Sequence, residues 1–145
     1  MSNIYNYTDT WNDAAVAFAA LKCNVTNTAS LSTSVLVDLQ ISGVSKFKVG
    51  LTGLIPSPAV AATIASAATI APVNPVTFIS GVAAVVTITA PVLITTTGGS
   101  ITLIPTGIFT WTTAGNIALA GTAVVGKALT MTYDATTVKW YPSYV

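Results

Sequence analysis

Histidine, arginine and glutamate are absent from this chain, and cysteine occurs once. The lack of histidine removes every Ser-His-Asp and Cys-His arrangement, because those sites need an imidazole to take the nucleophile's proton. One cysteine, Cys23, excludes an intrachain disulfide and a structural zinc site. A lone thiol in a small β-type sequence is expected to be a buried small hydrophobe without a redox role. The ionisable groups that remain are Asp9, Asp13, Asp38 and Asp134 with Lys22, Lys46, Lys48, Lys127 and Lys139. The carboxylates are spread along the chain with no recognisable acid/base pair. The expectation is therefore no enzyme, no cofactor and no bound metal.

Charge of either sign is scarce: 6% of residues are charged, against about 25% in an ordinary soluble domain. The net charge is +1 and the lysines are scattered, so the basic stripe of a nucleic-acid binder is missing. Mean hydropathy is +0.75, yet no apolar run approaches the ~18 residues of a membrane span. The nearest candidate, residues 59–73, is interrupted by Thr63, Ser66 and Thr69 and flanked by Pro56, Pro58, Pro72 and Pro75. The first residues show neither a positive segment nor an apolar one, so no signal peptide is read and synthesis is expected to end in a cytoplasm. No nucleic acid and no membrane are expected as partners.

What is present is hydrophobic residue, 52% of the chain, a composition that argues against disorder. Between Lys48 and Lys127 there is no ionisable side chain at all. Such a stretch stays in solution only if its apolar faces are covered and its exposed faces carry hydroxyls, which Thr and Ser supply. Cover by partner chains is the natural expectation.

Periodicity favours strands. Val35, Val37, Leu39 and Ile41 alternate with polar residues, Leu36 being the exception, and Ser42-Gly43 then turns the chain into Val44 to Val49. Leu36, on the second face, has no obvious cover within the chain. Lys46 and Lys48 share the opposite face from Phe47 as a solvated edge. The tetrapeptide Ile-Ser-Gly-Val recurs at positions 79–82 and predicts a second hairpin. Gly98-Gly99, between Val92 to Thr97 and Ser100 to Ile104, predicts a third, and Ala114-Gly115-Asn116, between residues 108–113 and 117–120, a fourth. Leu129, Met131 and Tyr133 alternate ahead of a turn at Asp134 to Thr136 and a last strand from Val138 to Tyr141. Residues 14–21 read as a short helix or as a strand. Residues 59–71, with the echo Ala-Thr-Ile-Ala at 62–65 and 68–71, read as extended or a linker.

The reading is an all-β chain in two modules. Residues 1–55 form an extended N-terminal β module. Residues 56–145 form antiparallel hairpins folded into a small β-sandwich or barrel-like unit, and the whole is assembled as a trimer. Interface candidates are Val35, Val37, Leu39, Ile41 and Phe47. The aromatics Trp140, Tyr141 and Tyr144 cluster beside polar handles as glycan-binding surfaces do, although alternation beside Val138 favours a core position for Trp140. Trp11, Trp111 and Phe109 are expected in the core.

Thr10-Trp11-Asn12, Phe18, Val25-Thr26-Asn27-Thr28-Ala29-Ser30 and residues 36–49 (Leu-Val-Asp-Leu-Gln-Ile-Ser-Gly-Val-Ser-Lys-Phe-Lys-Val) resemble a module of structural proteins of tailed bacteriophages. Residues 115–119, then 129–134 running to 139–144, resemble a domain at the ends of such proteins. Together these cover most of the chain, and their motifs are degenerate β patterns. The resemblance implies a virion role and trimeric β assembly, and supplies no functional residues. Fibre proteins are usually longer, so the chain looks like a short head fibre, a capsid decoration protein or a small tail appendage. The partners implied are further copies of itself, capsid or tail proteins, and, for an adhesin, a glycan of the host surface.

Overall fold

The computed structural model describes residues 10–12, 14, 15, 17, 19, 21, 23–55 and 62–145. The reading of residues 14–21 falls largely outside them. Apart from one six-residue helix, all regular structure among the described residues is β.

Strands β1 (Val35–Ile41) and β2 (Val44–Gly50) form the antiparallel hairpin that the alternation predicts. Ser42 and Gly43 both have positive φ, 50° and 75°, the left-handed pair of a turn whose twist matches that of the strands. Leu39 pairs with Phe47, Val37 with Val49 and Ile41 with Val44. The register shifts between Val35 and Val37 and between Leu39 and Gln40.

From residue 62 onward the chain winds in three successive turns, each contributing strand to two sheets. The first turn gives β3 (Ile64–Ala65) and β4 (Thr69–Ile70), and the second gives β5 (Val76–Ser80) and β6 (Thr87–Ile88). The third passes through helix α1 (Val92–Thr97) to β7 (Gly99–Pro105) and β8 (Thr110–Trp111). Strands β3, β5 and β7 lie parallel side by side, as do β4 and β6, while Val85 bridges in parallel to Trp111. The stack then ends in antiparallel strands. β9 (Gly121–Thr122) pairs with β8, β10 (Leu129–Asp134) with β7, and β11 (Lys139–Pro142) with β10. The larger sheet runs β11-β10-β7-β5-β3, and among the described residues no sheet closes into a barrel.

Stacking sets the core. Ile64 lies beside Ile79 and Ile79 beside Pro105; Thr77 lies beside Leu103, Leu103 beside Leu129, and Ile101 beside Met131. From the β4-β6 sheet Ile70 lies beside Ile88, and at an isolated bridge Val85 lies beside Trp111 of β8. Ile70, Ile79, Val85, Ile88, Ile101, Leu103, Leu129, Met131, Phe109 and Trp111 belong to one buried cluster. Each fully buried Ile or Leu contributes about 1.5–3 kcal/mol.

Among the described residues no third strand continues the β4-β6 sheet beyond Ile88, and the Asn116 side chain takes that place. Its Nδ2 donates to the Ile88 carbonyl at 2.8 Å and its Oδ1 accepts the Ile88 N–H at 2.9 Å. Trp140, fully buried, donates from Nε1 to the same carbonyl at 3.0 Å and stacks on Tyr133. Its backbone N–H donates to Asn116 O and its carbonyl accepts from Ala118 N–H. Residues 116–118 thereby join the edge of the larger sheet to the smaller one.

Several sequence expectations are corrected. Ile-Ser-Gly-Val at 79–82 is a corner and not a hairpin turn: only Gly81 has positive φ there, and β5 and β6 each find parallel partners elsewhere. Val92 to Thr97 is helix, because Pro91 N–H-less entry and Gly98 at its end bound one turn that carries Ile94 inward. The described part of residues 59–71 is extended, as one of its two readings had it, and forms two short strands whose repeated isoleucines Ile64 and Ile70 serve one sheet each. The fourth hairpin survives only as β8 paired with β9, with a wider excursion between them. Trp11 and Cys23 are exposed and not in a core; no residue between 10 and 55 that the structure describes is buried, so that segment offers them no interior.

Candidate interaction surface

The register of the hairpin decides which side chains share a face. Val37, Leu39 and Ile41 from β1 stand beside Val49, Phe47 and Val44 from β2, giving three apolar cross-strand pairs on one side. The structure thus brings Val37, Leu39, Ile41 and Phe47 together. Val35 is set apart: the extra residue Leu36 makes a bulge, and Val35 pairs with Gly50 on the side of Asp38 and Lys48. Val44 and Val49, absent from the predicted set, complete the face. Pairing across the Ser42-Gly43 turn is the signal that would have found them.

This face is open. Leu39 is 59% exposed and Ile41 66% exposed, and Val44 and Phe47 are exposed with them. Covering the four exposed apolar side chains Leu39, Ile41, Val44 and Phe47 is worth about 1 kcal/mol each, taking half of the full-burial value. A lone two-stranded hairpin is at best marginally stable in water, so cover of this order decides whether it is ordered.

The other face is polar. Asp38 stands opposite Lys48, and Gln40 Nε2 donates to Asp38 Oδ2 at 2.6 Å. The Gln40 bond, then a Ser45 hydroxyl and the Lys48 charge, hold the Asp38 carboxyl below its ordinary range. A bulge opposite Leu39 leaves Lys46 without a cross-strand partner, exposed beside this polar set.

The C-terminal aromatics do not form a platform. Trp140 is core, as described. Tyr144 is half-buried, packs its edge on Trp111 with centroids 5.8 Å apart, and lies 4.3 Å below the Lys127 ammonium. Its hydroxyl donates to the Lys127 carbonyl at 3.4 Å, a cation–π and hydrogen-bonded lock. Tyr141 alone is exposed, its hydroxyl 3.3 Å from Thr137 Oγ1. Phe109 and Trp111 are buried as expected.

Elsewhere, Asp134 caps its own turn, accepting from Thr136 N–H, Thr137 N–H and Thr137 Oγ1. The Thr137 hydroxyl first, then the Thr136 amide, hold its carboxyl below the ordinary range. No group of three or more Asp and Cys side chains gathers among the described residues. No described helix is long and apolar enough to cross a membrane.

A second apolar feature lies where β4 and β6 end. Ala71, Pro72, Val73, Thr89, Ala90, Pro91 and Val92 line an open groove of about 340 Å³. Beside it, α1 projects Val92 and Leu93 into solvent, 84% and 81% exposed.

Comparison with known proteins finds no family model, no curated protein and no solved structure that matches the chain.

Proposed function

We propose that this chain is a structural protein of a tailed-bacteriophage virion, a short homotrimeric head fibre or capsid decoration protein. A tail fibre or tail appendage is the alternative position on the particle. The observation that carries the reading is the hairpin face on which Leu39, Ile41, Val44 and Phe47 stand exposed beside half-buried Val37 and Val49, in a segment that buries none of its described residues. Contiguous apolar surface of this kind in a folded chain marks an interface. A hydroxyl-rich, charge-poor composition fits a chain whose work is to be packed against others.

In this reading the N-terminal module attaches to the particle. Six of the nine charged residues lie in the first 48 positions, where polar contacts fix orientation while the apolar hairpin face supplies burial. The C-terminal module, with Lys127, Asp134 and Lys139 as its only charges, is the trimerisation unit. A glycan-binding adhesin is the weaker reading, since of the C-terminal aromatics Trp140 is buried, Tyr144 is half-buried against Trp111, and Tyr141 alone is exposed to meet a sugar.

Light scattering on the purified chain tests the assembly: the expected mass is three chains of 14.7 kDa, and a well-behaved monomer at micromolar concentration refutes it. Co-sedimentation with particles at fixed stoichiometry tests the location. Binding of the isolated protein to a glycan array, without particle association, would favour the adhesin.

A further inference from the structure

We draw no further inference here: the strongest candidate, the apolar surface patch where the groove at the ends of β4 and β6 runs into the exposed Val92 and Leu93 of α1, carries nothing because nothing in the structure shows what covers it.

Discussion

Replacing Asn116 by alanine removes two hydrogen bonds to one residue, and the structure tells which half of the loss matters. The Ile88 carbonyl keeps a donor, Trp140 Nε1 at 3.0 Å. The Ile88 N–H faces away from β4, whose side takes the Thr87 and Thr89 amides instead, so Asn116 is its acceptor, and Ile88 itself is 1% exposed. An orphaned buried amide costs about 1–3 kcal/mol and a lost neutral bond about 1 kcal/mol net, so Asn116→Ala is expected to destabilise by about 2–3 kcal/mol. With a slope near 2 kcal/mol/M for a domain of this size, the urea midpoint followed by tryptophan fluorescence falls by about 1–1.5 M. Asn116→Asp separates bonding from volume. Its carboxylate still accepts the Ile88 N–H but faces the Ile88 carbonyl, which disfavours the charged form and raises the folded-state pKa above the unfolded value. A raised folded pKa gives stability that is full below the unfolded pKa and is lost as pH rises through the folded one. The aspartate variant should therefore approach wild type near pH 4 and fall toward the alanine variant or below it by pH 7. An alanine variant within 0.5 kcal/mol of wild type, or an aspartate variant without that pH dependence, refutes the claim that Asn116 replaces a strand.

Gly107→Ala should be severe: a Cβ there runs into the carbonyl oxygen and amide of Gly81, backbone that cannot swing aside, so a loss above about 2 kcal/mol is expected in urea unfolding. Val138→Gly should stabilise by about 0.5–1 kcal/mol, because a β-branched residue at φ 56° carries a left-handed penalty of about 1–2 kcal/mol against a glycine entropy cost of about 0.5–1 kcal/mol; an unchanged or lower thermal midpoint counts against it. Stability should be flat with pH from about 5 to 9, since no histidine titrates. Below about pH 4 it should fall: the Asp134 carboxyl is held below its ordinary value of 3.8, so its contribution is present above that value and lost as pH drops through the folded pKa. Asp134→Asn should shrink the acid-side loss in circular dichroism titrations, and an unaltered profile refutes the capping role.

The hairpins that were legible in the sequence are those closed locally. At 35–50 and 129–142 the alternation, the turn residues and the pairing partners all fall within about sixteen positions, so one window holds the whole instruction. The burial of Trp140, Trp111 and Phe109 was legible because large aromatics in a β pattern have few other places to go. The parallel pairings were not. Ile64 meets Ile79, Ile79 meets Pro105 and Val85 meets Trp111, contacts whose spacings are unequal because α1 and its loop lengthen the third turn. Nothing in a short window specifies them. The same tetrapeptide, Ile-Ser-Gly-Val, turns a hairpin where Ser42 and Gly43 both go left-handed and makes a corner where Gly81 alone does; the difference lies in which distant strands are waiting. On the candidate surface, Leu39, Ile41, Val37 and Phe47 followed from alternation, whereas the displacement of Val35 needed the bulge at Leu36, which a period of two does not contain. Helix α1 was hidden by its own composition, since Val92, Ile94 and Thr95 to Thr97 are β-branched and read as strand.

The order of strands in the larger sheet has a mechanical consequence. β3 and β11 lie at opposite edges, so tension applied between Ile64 and Pro142 acts across the ribbon, over four strand spacings or about 19 Å, and loads neighbouring rows of hydrogen bonds one after another instead of all together. The first row to part is that of β3, two residues long. Held by the two ends of this unit, the protein would yield by peeling from its amino-side edge at low force, while the rows between β7 and β10, joined over five paired residues, stay shut. A spring of this kind gives before it breaks, and it resets by re-zipping a strand whose partner never left its place.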